Sequence, residues 1–147
     1  MTTLYTIGFT KKTAEQFFEL LKKNHVSKVI DIRISNSSQL AGFAKGENLP
    51  YLLREICNIG YEHIVDFAPT EKLLKDWKDK KITWADYEQV YIDLLKKRGI
   101  ANQYSLDEFD GACFLCSEEM PKQCHRRLLV EYMAKLCPGE VEICHLV

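Results

Sequence analysis

Short runs rich in β-branched and aromatic residues alternate with helical patterns along the whole chain, and this alternation most constrains the fold. The runs predicted as strands are TLYTIGF (3–9), KVIDIRI (28–34), YEHIVDF (61–67), GACFLC (111–116) and VEICHLV (141–147). Neighbouring parallel strands need long crossover connections, and helices usually supply them. We therefore predict a three-layer α/β fold with a largely parallel sheet of about five strands and helices on both faces. The pattern leaves the strand order open.

The helical segments have recognisable ends. Thr13 and Gln16 have the spacing of a capping box at the start of the first helix. Asn48 is predicted to cap the second helix, which a glycine would end. A cluster of basic residues followed by Gly99 predicts the end of the third helix. The predicted helices cover residues 13–24, 48–60, 83–99 and 125–137.

Composition indicates one soluble domain spanning residues 1–147. Hydrophobic residues make up 46% of the chain and the formal net charge is −1, which excludes a disordered chain and argues against a strongly basic nucleic-acid binder. The N-terminus MTTLYTIGF lacks the features of a signal peptide, and no apolar run is long enough to span a membrane. The six cysteines are therefore expected to be reduced thiols in the cytoplasm.

Two charged residues interrupt the second predicted strand. Side chains alternate along KVIDIRI, so Val29, Asp31 and Arg33 share one face. A parallel strand covered on both faces is normally almost entirely apolar. Two interpretations follow: a buried structural ion pair, or an Arg33 that binds an anionic or planar ligand group while Asp31 orients it or acts as a base.

The loop SNSSQLAGFAKGE (35–47) follows this strand. A connection of this length is often functional and could fold over the strand ends as a lid. Ser37 is a candidate ligand-binding residue there. The alternative is an ordinary surface excursion held by its apolar residues.

The segment CFLCSEEMPKQCHRR (113–127) combines thiols, an imidazole and guanidinium groups. Cys113 and Cys116 are an odd number of residues apart, so they should face opposite sides of the sheet. This argues against a closed four-ligand zinc site and makes Cys113 a core residue. Cys116 ends the strand and faces the loop that contains Glu118, a candidate acid or base.

The last helix should direct two functional groups inward. On a helical wheel, His125 and Arg126 lie on the inward half, whereas Arg127 lies outward with Glu131 one turn away. A helix start attracts anions and lowers the pKa of a thiol such as Cys124. Ligands of open α/β sheets bind beyond the carboxyl ends of the strands, where Gly8 should also lie.

These motifs together resemble the Domain of Unknown Function 488 family. The matching segments are TIG, DIR, SNSSQLAGF, WADYEQVYIDLL and CSE followed by CHRR. The resemblance implies a small α/β protein of bacteria or archaea with no established biochemical activity. Many members have a histidine after the first glycine, where this chain has Phe9. The motif positions carried over are Gly8, Asp31, Arg33, Cys116, Glu118, Cys124, His125 and Arg126.

Three functions remain open at this point. The favoured one is a cysteine-dependent hydrolase or transferase acting on a small anionic substrate, without a cofactor. Cys116 or Cys124 would be the nucleophile, with Glu118, His125 or Asp31 as acid or base and Arg33 with Arg126 as anion clamp. The alternatives are a binding module without turnover, for a ligand such as a nucleotide or nucleic-acid end, and an open metal site using Cys116, Cys124 and His125. The sequence indicates no membrane partner and leaves the oligomeric state open.

Overall fold

A computed structural model describes residues 1–36, 42–118 and 120–147 of the chain. Its five strands form a single parallel sheet, which confirms the predicted α/β class. The strands are β1 (Thr2–Gly8), β2 (Lys28–Asp31), β3 (Gly60–His63), β4 (Ala112–Cys116) and β5 (Val141–Leu146). They lie in the order β3-β2-β4-β1-β5. The strand that carries Cys113 and Cys116, β4, is therefore the central one.

Helices cover both faces of this sheet. They are α1 (Ala14–Lys23), α2 (Leu49–Leu52), α3 (Glu71–Lys78), α4 (Trp84–Arg98), α5 (Ile100–Gln103) and α6 (His125–Leu136). The predicted capping box of Thr13 and Gln16 is present at the start of α1. Gly99 ends α4 in the left-handed conformation, with φ of 68°, as its position after the basic residues predicts.

Several predicted boundaries are wrong, for local reasons. The second strand ends at Asp31 because the Asp31 carboxylate accepts the backbone N–H of Arg33 and turns the chain. The second helix is only α2 followed by a π-helical turn over Leu53–Cys57. Asn48 is itself helical and makes no side-chain cap. Asn58, with φ of 55°, ends this segment where a glycine was expected.

The two faces of the sheet build separate hydrophobic cores. One core joins the sheet to α4 and α6 through residues such as Tyr91, Phe114 and Leu129. The other joins it to α1 and α2 through Phe17, Leu49 and Leu115 among others. Cys116 belongs to the first core and Cys113 to the second, so the prediction that they face opposite sides is confirmed.

The topology places a crevice at the end of β4. The chain leaves β1 and β2 towards α1 and α2 on one face, and leaves β3 and β4 towards α4 and α6 on the other. β4 lies between β1 and β2. The chain therefore leaves β4 towards one face of the sheet and leaves both of its neighbours towards the other face. Divergence of this kind opens the usual ligand crevice of α/β sheets. Within the described ranges, no helix has the length and apolar character needed to cross a bilayer.

Candidate functional site

The end of β4 meets the end of β1 in a tight backbone contact. Gly8 pairs in register with Cys116 at the carboxyl edge of the sheet. A Cβ atom on Gly8 would overlap the carbonyl oxygen of Glu118 and lie 2.7 Å from Arg126 Nη1. The absence of a side chain at position 8 therefore allows the loop after β4 to close over the end of β1.

Arg126 connects this loop to the sheet from inside the protein. Its side chain is completely buried. It donates to Thr6 Oγ1 at 3.3 Å, to Cys116 Sγ at 3.2 Å and to the carbonyl oxygen of Glu118. Burial lowers the pKa of Arg126 to about 10, which still leaves the guanidinium charged at neutral pH. A cation that donates to Cys116 favours the thiolate over the thiol.

Three potential metal ligands meet beside this guanidinium. The Sγ atoms of Cys116 and Cys124 are in direct contact, in the pairing of a disulfide. His125 Nδ1 lies 4.0 Å from Cys124 Sγ. The ligand atoms of all three residues lie within 4.8 Å of one another, and all three residues are buried. Cys124 occupies the N-cap position of α6 but makes no side-chain cap, so its sulfur points to this cluster.

The protonation state of His125 follows from its hydrogen bond. His125 Nε2 lies 2.9 Å from the carbonyl oxygen of Ile32. A carbonyl oxygen can only accept, so Nε2 carries a proton. Burial lowers the pKa of His125 to about 4, so the ring is neutral at physiological pH and Nδ1 keeps its lone pair. The nitrogen that faces the sulfur atoms is thus the one able to bind a cation.

Asp31 and Arg33 form a buried ion pair, which is the contact that the structural interpretation of the DIR motif predicts. Arg33 donates from Nε to Asp31 Oδ1 at 2.8 Å and from Nη2 to Oδ2 at 2.7 Å. Tyr61 also donates to Asp31 Oδ2, at 2.6 Å. Burial, followed by this hydrogen bond, raises the pKa of Tyr61 to about 12. Both carboxylate oxygens of Asp31 are therefore engaged within the protein.

A cavity of about 590 Å³ opens beside the cysteine and histidine cluster. Five of the residues singled out from the sequence line it: Arg33, Cys116, Glu118, Cys124 and His125. Gly8 and Arg126 lie directly behind this wall, in contact with Glu118 and Cys116 respectively. Asp31 contacts Arg33 instead of the cavity, and Ser37 lies outside the described residues. Segments distant in sequence thus contribute to one pocket.

The residues singled out from the sequence do not include the aromatic side chains that line this cavity. Trp77 on α3 and Trp84 at the start of α4 line it together with Tyr87 and Phe9. Phe9 also lies under Arg33, with the guanidinium carbon 5.3 Å from the ring centroid. The sequence feature that could have indicated this aromatic lining is the pair of tryptophans on either side of the short segment KDKKIT. The helical pattern alone assigns such residues to the core and does not say which sheet edge they cover.

A parallel sheet with a polar cluster beyond its carboxyl ends defines an α/β protein with a ligand-type crevice. The family described as "Domain of unknown function DUF488" matches residues 13–133, and the chain belongs to that family. The resemblance to this family is thereby confirmed, and the matched residues include the DIR, CSE and CHRR motifs. Searches of curated proteins and of solved structures found no match to the chain. The chain is thus a domain of unknown function with a buried Cys-Cys-His cluster.

Proposed function

We propose that the chain is a metal-dependent hydrolytic enzyme whose ion is held by Cys116, Cys124 and His125. Two thiolates and one imidazole form a ligand set of catalytic zinc sites, in which the fourth position is left for water or substrate. The three ligand atoms lie within 4.8 Å of one another, and all three residues line the cavity. These three residues could hold a Zn²⁺ ion beside the cavity, from which water or substrate could reach it.

The hydrogen bond from His125 to Ile32 is the observation that carries this proposal. Metal-binding histidines commonly donate their second ring N–H to a carbonyl or carboxylate, which orients the ring and selects the tautomer. His125 makes this bond at 2.9 Å and presents its other nitrogen to the sulfur atoms. Arg126 adds a comparable outer contact, because it donates to Cys116 Sγ at 3.2 Å. Such a donor stabilises the deprotonated sulfur that a metal ion requires.

The backbone spacing of the two cysteines also supports a shared ion. Their Cα atoms are 7.8 Å apart. Disulfides usually join Cα atoms about 4.4–6.8 Å apart. Sulfur atoms that bind one ion are connected through that ion and not to each other, so they tolerate a wider backbone separation.

The same cavity offers the remaining groups that hydrolysis needs. A zinc ion lowers the pKa of its bound water to near neutrality. Glu118 lines the cavity and is the candidate base for the proton of that water. The water oxygen would form a bond to an electrophilic carbon or phosphorus of the substrate. The bond to the leaving group would break, and the proton held by Glu118 would pass to that group.

Cobalt binding tests the site directly. Metal-free protein is titrated with Co²⁺ and followed by the absorption of the cobalt–thiolate bond. We expect a single ion per chain, and we expect Cys116→Ser, Cys124→Ser and His125→Gln each to weaken binding severely. Cys144→Ser is the matched control, because Cys144 lies on β5 and contacts Glu142 instead of the cluster. A folded parent protein that takes up no cobalt, or ligand variants that bind as well as the control, would refute the proposal.

Thiol counting separates the metal site from a stable disulfide. The chain has six cysteines, of which Cys57, Cys113, Cys137 and Cys144 make no disulfide. Protein purified without reductant and denatured with a chelator should therefore yield six reactive thiols if Cys116 and Cys124 are metal ligands. A yield of four would show that this pair is oxidised and would contradict the metal assignment.

A cysteine-dependent hydrolase or transferase is the second candidate, favoured by the contact between Arg126 Nη1 and Cys116 Sγ at 3.2 Å. The Cys116 thiolate would form a bond to the electrophilic atom of a small anionic substrate, and the leaving group would depart with a proton from Glu118. Water or an acceptor would then break the bond to sulfur and restore the thiolate. Arg33, which lines the same cavity, is the candidate anion-binding residue.

Alkylation of metal-free protein tests this second candidate. We expect iodoacetamide to label Cys116 below neutral pH in the parent protein. In Arg126→Met the labelling should slow about tenfold for each unit by which the thiol pKa rises. Arg127→Met is the matched control, since Arg127 pairs with Glu131 at 3.3 Å and not with a thiol. Equal labelling rates in the two variants, or labelling only in denaturant, would argue against a nucleophilic Cys116.

A further inference from the structure

The cavity beside the cluster has a wall of aromatic rings. Trp84 and Tyr87 are stacked, with centroids 4.7 Å apart and an interplanar angle of 13°. Trp77 packs against Trp84 with centroids 5.2 Å apart. Phe9 contributes another ring to the lining, and most of the cavity surface is apolar. Tyr87 and Phe9 are only 1% and 2% exposed, so the aromatic surface open to a ligand comes from Trp84 and Trp77. A partly exposed indole ring favours a planar ligand, which can stack on it.

The charges around the cavity are balanced. Among the described residues that line it, the cations are Arg33, Lys75 and Lys78, and the carboxylates are Glu71, Asp79 and Glu118. The charge of Arg33 is in addition offset by Asp31, at 2.7 Å. A site for a free inorganic anion would instead concentrate positive charge. The lining therefore favours a ligand with little or no net charge.

Two buried N–H donors on this wall have no acceptor in the described part of the chain. They are Arg33 Nη1 and Trp84 Nε1, and both residues line the cavity. Arg33 is only 6% exposed, and its other donors are already bonded to Asp31 and to the carbonyl oxygen of Ala44. Buried donors without acceptors are rare in native proteins and call for an explanation. A ligand with acceptor atoms along one edge would supply it.

We propose that the cavity binds a planar nitrogen heterocycle that carries little net charge. Its ring packs against Trp84, which Tyr87 supports from behind, and its ring nitrogens or carbonyl oxygens accept from the N–H groups of Arg33 and Trp84. The inference rests on the proposed function in one respect, because such a ring would be the substrate presented to the metal-bound water. Binding of the ring itself requires only the cavity wall.

Tryptophan fluorescence tests this assignment without knowledge of the natural ligand. The chain has two tryptophans, and both line the cavity, so their emission reports on this pocket alone. We expect purine and cytosine to quench the emission saturably in metal-free protein. Inorganic phosphate should produce no saturable change. Indene, which matches purine in ring size but has no acceptor atoms, should bind at least tenfold more weakly than purine.

Matched variants test the role of the indole N–H. Trp84→Phe keeps an aromatic ring and removes the donor, so we expect it to weaken purine binding about tenfold. Tyr104→Phe serves as the control and should stay within twofold of the parent, because it removes a donor that is bonded to Asp66 at 3.0 Å and is not among the residues that line the cavity. Thermal unfolding of each variant verifies that it is folded. Equal losses in the two variants, or an indene affinity equal to that of purine, would overturn the assignment.

Different results would refute the metal site and the heterocycle site. A folded protein that binds Co²⁺ but gives no saturable response to purine or cytosine would refute the heterocycle site and leave the metal site standing. A protein that binds purine but no Co²⁺ would refute the metal site and leave the ring-binding cavity standing. Saturable quenching by phosphate as tight as that by purine would replace the heterocycle with a free anion as the ligand.

Discussion

Asp31→Asn is expected to lower the free energy of unfolding by about 3–5 kcal/mol. Asp31 is completely buried and accepts two side-chain hydrogen bonds from Arg33 and one from Tyr61. The substitution preserves the shape of the side chain but leaves the buried guanidinium of Arg33 without a counter-charge. It also places the NH₂ group of the new asparagine, which is itself a donor, beside the donors of Arg33 and Tyr61. Urea unfolding followed by circular dichroism measures the loss.

A surface ion pair provides the matched control for this prediction. Asp76 pairs with Lys72 at 2.6 Å on α3, and the Lys72 side chain is 85% exposed, so water screens this pair. Asp76→Asn should therefore leave the unfolding curve unchanged. The double variant Asp31→Leu with Arg33→Met should lose less stability than Asp31→Asn alone, since it removes both charges together. If Asp31→Asn behaved like the surface control, the buried ion pair would contribute no stability.

Gly8→Ala is expected to cost more than about 4 kcal/mol, at the upper end of single substitutions. The new methyl group would overlap the carbonyl oxygen of Glu118 and crowd Arg126 Nη1 at 2.7 Å. The carbonyl belongs to the main chain, and Arg126 is completely buried, so neither group can move aside easily. The loop between Cys116 and Cys124 would have to shift. We therefore expect cobalt binding to weaken in the same variant.

Gly139→Ala is the control for the glycine substitution. No atom lies within 4 Å of the position that a Cβ would take there. Its effect on the free energy of unfolding should stay within about 0.5 kcal/mol, as for most surface positions. Thermal unfolding compares the two variants, and cobalt titration reports on the loop. A Gly8→Ala protein as stable as Gly139→Ala would show that the contact with Glu118 is not tight in solution.

Periodicity was sufficient to orient individual side chains. The odd spacing of Cys113 and Cys116 placed them on opposite faces, and the structure puts them in different cores. The helical wheel directed Arg126 inward and Arg127 outward; Arg126 is fully buried, and Arg127 pairs with Glu131. These predictions succeed because alternation in strands and helical repeats are local properties of the backbone. Asn48 failed as a helix cap for a local reason too, since it adopts a helical conformation.

Contacts between distant segments could not be derived in this way. Arg126 is 120 residues from Thr6, to which it donates, and His125 is 93 residues from Ile32. The aromatic wall depends on where α3 and the start of α4 lie relative to the end of β4. The pattern of apolar residues predicts that one face of each segment is buried, but it does not predict which part of the protein that face packs against.

The amino-acid sequence by itself determined the class of the fold, the opposite facing of Cys113 and Cys116, and five of the residues that line the cavity at the carboxyl edge of the sheet. Tertiary structure decided the strand order, the ion pair of Arg33 with Asp31, the contact of Arg126 with Cys116, and the cavity with its tryptophans. The division has a physical cause. Backbone geometry imposes short repeats on any helix or strand, whereas the pairing of strands and the packing of helices depend on burial summed over the whole chain.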